Sequence, residues 1–146
     1  MSRKKIVAGN WKMNMTIDES NDLIDELKEL SESNVEIKVA PSFTNLYNAI
    51  SLSENSEIEV IAQNVHYESR GAFTGEISSE MLKSIGVKTV IIGHSERRKY
   101  FNETDTILSK KVKAALENSL NVIFCIGEEL SERESENHFE IIKNQI

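Results

Sequence analysis

The chain has 146 residues, which is long enough to bury a sizeable core and predicts a single domain over residues 1–146. A composition of 39% hydrophobic and 28% charged residues is typical of a soluble globular protein rather than a disordered one. The net charge of −7 argues against a nucleic-acid partner, because phosphate backbones are bound by clustered Lys and Arg.

The cysteine content and the first residues of the chain indicate the cellular compartment of the protein. Cys125 is the only cysteine, so no intramolecular disulfide can form and we expect a reducing environment. Residues 1–5 are basic, but the apolar run at residues 6–8 is far too short for a signal-peptide core or a membrane span. We therefore expect a cytoplasmic protein with no membrane partner.

Apolar runs predict five strands in chain order, at residues 5–10, 35–40, 58–62, 87–93 and 122–126. The β-branched run at residues 90–92 does not alternate with polar residues, which indicates a strand buried on both faces of a parallel sheet. This strand ends at Gly93, where the backbone can turn sharply.

Amphipathic segments between and after the strands predict helices. They cover residues 16–30, 44–53, 77–85, 104–119 and 131–146. The first and last begin with the spacing of a capping box, at Thr16 and Ser131, and Gly86 is placed to end the third in a left-handed conformation. The fourth is predicted to be buried through Ile107, Leu108, Val112, Ala115 and Leu116.

The alternation of strands and helices predicts βαβ units, and therefore a parallel sheet covered by helices. An open doubly wound sheet would satisfy this pattern, but the sequence has no G-x-G-x-x-G or Walker motif. Instead, polar residues follow every predicted strand, at residues 10–12, 42, 63–64, 93–95 and 127–128. Polar groups at all the strand ends are typical of a (β/α)8 barrel.

His94 stands out among these polar residues, because it follows the buried strand directly in Gly93-His94-Ser95-Glu96-Arg97-Arg98. Ser95 can cap a helical turn that starts there, which would bring the His94 ring beside a helix N-terminus. The positive end of the helix dipole disfavours an imidazolium, so His94 could act as a neutral hydrogen-bond donor. The alternative is that a strand simply meets a polar loop.

Other candidate residues have two interpretations each. Lys12 could hold an anionic substrate such as a phosphorylated sugar, or be a solvated surface lysine. Asn10 could donate to a developing oxyanion, or only turn the chain. Glu96 is more typical of a structural ion pair than of a general base.

The three histidines lack metal-ligand spacing, and nothing in the sequence indicates a metal, nucleotide or flavin cofactor.

Several motifs together resemble the triosephosphate isomerase family, over residue 3 to about residue 140. They are Gly-Asn-Trp-Lys-Met-Asn at 9–14, Ala-Pro-Ser at 40–42, Ala-Gln-Asn at 62–64, Gly-Ala-Phe-Thr-Gly-Glu at 71–76, Gly-His-Ser-Glu-Arg-Arg at 93–98 and Cys-Ile-Gly-Glu at 125–128. The resemblance implies a glycolytic and gluconeogenic isomerase that interconverts dihydroxyacetone phosphate and D-glyceraldehyde 3-phosphate without a cofactor.

The resemblance also implies roles for single residues. Asn10 and Lys12 would bind the triose phosphate, with Lys12 countering the phosphate and the enediolate charge. His94 would be the electrophile that polarises the carbonyl, and this family is itself the usual example of such a neutral histidine. Ser95 and Glu96 would orient Lys12 and His94.

A dimer is the other implication of the resemblance. Thr74 would lie at the tip of a loop that enters the neighbouring subunit and packs by its Asn10 and Lys12. We thus expect the longer members of the family to be homodimers. The resemblance separately implies that Cys125 is a buried structural cysteine.

The family barrel needs about 250 residues and eight strands, so this chain predicts an incomplete barrel of five parallel strands, roughly 60% of the whole and truncated in the fifth helix. Nothing in it resembles the segment with the catalytic-base glutamate, the lid loop behind it or the phosphate-binding turns. We therefore expect the chain to be inactive alone. The alternatives are a non-catalytic half-barrel that binds or assembles, and an unrelated doubly wound protein with chance motifs.

Overall fold

Five parallel strands lie side by side in chain order within the computed structural model, which describes residues 4–29 and 35–146. They are β1 (Lys5–Asn10), β2 (Val35–Ala40), β3 (Ile58–Val60), β4 (Thr89–Ile92) and β5 (Asn121–Phe124). β1, β2 and β3 form one sheet and β4 and β5 a second. Ala62 joins the two, because its N–H donates to Thr89 O at 3.0 Å and its carbonyl accepts from Ile91 N at 2.8 Å.

This arrangement confirms the predicted parallel α/β fold. The described strands do not close into a barrel, so β1 and β5 are the two edges of the row. Ile6 and Val7 of β1 are 49% and 62% exposed. The structure is therefore that of a partial barrel with one unpaired edge on each side.

Helices connect the strands and follow the last one. They are α1 (Ile17–Lys28), α2 (Phe43–Leu52), α3 (Ser79–Ser84), α4 (Ser95–Tyr100), α5 (Asp105–Glu117), α6 (Leu130–Glu134) and α7 (His138–Gln145). The capping box of α1 is confirmed, since Thr16 Oγ1 accepts from Glu19 N and Glu19 Oε2 accepts from Thr16 N. Gly86 has φ +94° after α3, as predicted. Leu30, the predicted end of the first helix, lies outside the described residues.

The final helix was predicted wrongly in two respects. Its cap is Glu129, whose capping-box partner is Glu132, and Ser131 lies inside α6. The segment is also two helices and not one, because Glu136 has φ +61° and ends the first of them. The Ser-x-x-Glu spacing is thus present in the sequence, but a Glu-x-x-Glu pair two residues earlier forms the cap.

The main core lies between the sheet and the helices, where Leu46, Val60, Leu82, Val90 and Leu108 are buried. The buried face of α5 differs from the prediction at one position, because Leu116 is 59% exposed. Lys111 lies on the buried side instead, between the buried Leu108 and Ala115. A lysine therefore occupies a place where the pattern predicted only apolar side chains.

The opposite face of the sheet has a small apolar cluster of Ala40, Ile61 and Ile91 towards the carboxyl ends of the strands. Towards the amino ends it is charged, with Lys38 paired to Glu59 and, at 3.2 Å, to Glu36. Burial alone would lower the pKa of Lys38, but its hydrogen bonds to the two carboxylates raise it above the ordinary value.

In the part of the chain that the structure describes, no helix combines the length and the apolarity needed to cross a bilayer.

Candidate active site

The carboxyl ends of β1, β2, β3 and β4 meet around a cleft of about 260 Å³. In parallel sheets, loops at this end carry the functional groups. The cleft is lined by Asn10, Lys12, Met13, Ser42, Phe43, Gln63, Asn64, His94, Glu96, Arg97 and Phe101. Four of the predicted site residues, Asn10, Lys12, His94 and Glu96, are thus brought together. Ser95 does not line this cleft but the neighbouring cavity of about 370 Å³, which His94 also lines.

The backbone at Lys12 is held in an unusual conformation. Its φ is +56°, a left-handed value that a lysine rarely adopts. Lys12 N donates to Asn10 Oδ1 at 3.0 Å, and the Gln63 side-chain amide donates to Lys12 O at 2.9 Å and to Ala40 O at 2.7 Å. These contacts join the ends of β1, β2 and β3. Strain of this kind persists only where surrounding contacts hold it, and it is concentrated at functional sites.

The Lys12 ammonium is paired with Glu96. Lys12 Nζ lies 2.8 Å from Glu96 Oε1, and both side chains are about half exposed. The hydrogen bond from Lys12 lowers the pKa of Glu96 below its ordinary value. Glu96 Oε2 is 3.5 Å from His94 Nδ1. The carboxylate therefore lies between the two groups that it was predicted to orient.

His94 itself caps α4, which corrects the expectation that Ser95 would do so. His94 Nδ1 accepts a hydrogen bond from Glu96 N at 3.3 Å, and Ser95 is the first residue of the helix. A serine cap one residue later is unnecessary, because the N–H groups that it would accept from, those of Arg97 and Arg98, already donate to His94 O at 2.8 and 3.1 Å. An accepting Nδ1 carries no proton, so this hydrogen-bond pattern assigns the proton of a neutral ring to Nε2.

A buried charged cluster beside the cleft was missed by the sequence prediction. Lys111 Nζ donates to Glu103 Oε1 at 2.5 Å and to Asn64 Oδ1 at 2.8 Å, while Arg97 Nε donates to the same Glu103 oxygen at 2.6 Å. The Lys111 and Glu103 side chains are 3% and 4% exposed, and burial lowers the pKa of Lys111. The sequence did contain one signal of this burial. Lys111 falls on the apolar face of α5, between Leu108 and Ala115.

Thr74 lies apart from these residues, since it does not line the cleft. It is exposed in the turn between Gly71 and Gly75. The base of this loop is held by His66, whose N–H donates to Ile77 O at 2.8 Å and whose Nδ1 lies 3.3 Å from Glu76 Oε2. Among residues 4–29 and 35–146, no three His, Cys, Asp or Glu side chains are grouped as metal ligands.

Parallel strands in chain order, with polar side chains gathered at their carboxyl ends, define a chain of the (β/α)-barrel class. The family model for triosephosphate isomerase matches residues 5–146. The chain belongs to the triosephosphate isomerase family, as its motifs predicted.

Curated relatives agree with this assignment. The chain is similar to the triosephosphate isomerases of Flavobacterium psychrophilum, at 56% identity over 146 residues, and of Flavobacterium johnsoniae, at 53% over 146 residues. It is 52% identical over 145 residues to that of Alkaliphilus metalliredigens. Each alignment includes 99% of this chain but only 58% of the relative, so the chain spans little more than half the length of these relatives.

Proposed function

We propose that this chain supplies the electrophilic and substrate-binding part of a triosephosphate isomerase site, which interconverts dihydroxyacetone phosphate and D-glyceraldehyde 3-phosphate. The observation that carries the proposal is the Lys12–Glu96–His94 arrangement in one cleft. The substrate class is supported by the family and its named relatives.

His94 would act on the carbonyl oxygen of the substrate. With Nδ1 accepting from the backbone, Nε2–H is the group able to donate a hydrogen bond. Donation strengthens as negative charge develops on that oxygen, which is how a fixed donor stabilises an enediolate. The same ring would then pass protons between the two oxygens. Lys12 would add positive charge for the phosphate and the enediolate, and Asn10, which holds the Lys12 backbone, would contribute to binding.

A general base is also needed to remove the carbon-bound proton. Glu96 is poorly suited to this task, because its ion pair with Lys12 lowers its pKa and so weakens it as a base. The missing base would cost about 10²–10⁴-fold in rate. We therefore propose that the chain alone does not isomerise triose phosphates at a useful rate and that the base comes from a segment corresponding to the rest of the longer relatives.

A homodimer is part of the proposal. Met13 and Phe101 line the cleft and are 96% and 62% exposed, and Tyr47 of α2 and Tyr100 of α4 are also more than 60% exposed. Apolar surface of this extent is typical of an interaction site. The loop with Thr74 from a second copy would cover it and pack beside Asn10 and Lys12.

The alternative function, a non-catalytic half-barrel that binds or assembles, is favoured by one observation. The two sheet edges and the apolar side chains of β1 are exposed, and unpaired edges are templates for pairing with another chain. A coupled assay for triose phosphate interconversion separates the two functions. It is run on the chain alone and on the chain mixed with the part of the Flavobacterium psychrophilum relative that this chain does not span.

We expect no activity alone, and activity on mixing that His94→Gln abolishes. His138→Gln is the matched control, because His138 lies in α7 outside the cleft and its replacement should leave the mixed activity unchanged. A mixture that assembles on a sizing column but stays inactive would support the non-catalytic module. Activity of the chain alone, lost in His94→Gln, would refute the account of the missing base.

A further inference from the structure

One arginine joins the ends of three elements just behind His94. Arg98 Nε donates to Gly93 O at 2.9 Å, and Arg98 Nη2 donates to Cys125 O at 3.3 Å. Arg98 Nη1 pairs with Asp105 Oδ1 at 2.6 Å. Gly93 follows β4, Cys125 follows β5 and Asp105 is the first residue of α5.

The contact at Gly93 is close enough to exclude any side chain there. Gly93 has φ +81°, and an added Cβ would lie 3.0 Å from Cys125 O and 3.3 Å from Arg98 Nη2. The guanidinium therefore packs against the glycine backbone itself. The guanidinium also lies over the Phe124 ring, whose centroid is 5.8 Å from Arg98 Cζ. Only 19% of the Arg98 side chain is exposed, so the group is enclosed.

Arg98 also binds the backbone of His94 from the other direction. Its own N–H donates to His94 O at 3.1 Å in the first turn of α4. The carbonyl before His94 is thus held by the Arg98 side chain, and the carbonyl of His94 by the Arg98 main chain. Arg98 thus contacts both peptide planes that flank the His94 Cα, and Arg97 N also donates to His94 O, at 2.8 Å.

We propose that Arg98 is the positioning residue of His94, which sets the orientation of the imidazole and thereby its Nε2–H tautomer. The effect of this positioning on catalysis by His94 rests on the proposed function. A planar guanidinium with several donors reaches all three acceptors at once, whereas the compact ammonium of a lysine cannot. Arg98 acts through the Gly93 and His94 peptides and does not line the cleft that contains Lys12.

The test is the ¹⁵N spectrum of the imidazole nitrogens of the 146-residue chain, with the His94 signals assigned by their loss in His94→Gln. In the unsubstituted chain we expect widely separated shifts, one for an accepting Nδ1 and one for a protonated Nε2. In Arg98→Lys this separation should fall, because the ring is freed and populates both tautomers. Arg70→Lys is the matched control, since Arg70 is 84% exposed, pairs only with Glu80 among the described contacts and lies outside the cleft.

Unchanged His94 shifts in a folded Arg98→Lys chain would overturn the proposal. Arg98 would then only connect the ends of β4 and β5. Folding is checked by amide exchange of β4 and β5. If Arg98→Lys does not fold, a substitution of Asp105 that removes its side-chain oxygens decides the matter. The variant that then applies is Asp105→Ala rather than the isosteric Asn, because Ala has no side-chain oxygen to accept from Arg98 Nη1. A smaller loss of the shift separation in Asp105→Ala supports the proposal, and no change refutes it.

The spectrum is independent of turnover. A mixture that assembles but stays inactive, together with changed His94 shifts in Arg98→Lys, would therefore refute the proposed function and leave this inference standing. Where the mixed enzyme is active, Arg98→Lys should lower kcat by up to about 10²-fold, the effect of a misplaced catalytic group, with KM little changed. A raised KM with unchanged kcat would contradict a role exerted through His94.

Discussion

Replacing Lys111 by methionine tests whether the buried cluster beside the cleft stabilises the fold. Lys111 and Glu103 are both almost fully buried, and their charged atoms are 2.5 Å apart. Removing one partner of a buried ion pair costs about 3–5 kcal/mol, because the other charge is left without compensation. Arg97 Nε remains 2.6 Å from Glu103 in the variant, so the expected loss lies at the lower end, about 3 kcal/mol.

The assay is urea unfolding of the chain followed by far-ultraviolet circular dichroism. The double variant Lys111→Met with Glu103→Leu should lose less stability than the sum of the two single variants, with a coupling of about 2 kcal/mol. Lys113→Met is the matched control on the same helix. The Lys113 side chain is 76% exposed and its pair with Glu117 is loose at 3.9 Å, so we expect a change within about 0.5 kcal/mol. Additive effects of the two buried substitutions would refute the reasoning.

Three further substitutions have defined outcomes. Gly93→Ala should destabilise the chain by about 1–3 kcal/mol in the same urea assay, because it forces a side chain to φ +81° against Cys125 O; an unaffected midpoint would contradict the glycine requirement. Thr16→Ala should cost about 0.5–2 kcal/mol through the lost helix cap, and equal stability would mean that α1 does not depend on it. The pKa of Glu96 is lowered by Lys12, so ionised Glu96 stabilises the fold above pH 4.5, and this contribution is lost as the pH falls through the lowered pKa. Glu96→Gln should therefore weaken the loss of stability on acidification, and an unchanged pH profile would argue against the ion pair.

The strands and the position of the site followed from local patterns. Apolar runs closed by glycine, proline or polar residues placed every strand to within a few residues, since the hydrophobic pattern is a property of each segment by itself. The polar residues after those runs necessarily gather at one end of a parallel sheet. The meeting of Asn10, Lys12 and His94 in one cleft was predictable for that reason.

Features that depend on contacts between distant segments were not predictable. Lys111 was not expected in the core, because a lysine is ordinarily solvated and its burial depends on Glu103 and Asn64. The contacts of Arg98 with Gly93 and Cys125 likewise depend on how β4 and β5 are placed side by side. The role of His94 as the N-cap of α4 was not predicted, because Ser95, a more usual cap residue, follows it directly.

The order of the strands has a consequence for how the protein is made. β2, β3 and β5 each pair with the strand before them, and β4 is joined to the segment after β3 through Ala62. The register joins Lys5 to Val35 and Ile37 to Ile58. Every new strand that leaves the ribosome therefore meets a partner that is already outside. At a synthesis rate on the order of 5–20 residues per second, the segment between two such partners emerges within a few seconds. The sheet can thus grow one strand at a time from its amino-terminal edge, and the cleft around His94 forms when β4 joins the row.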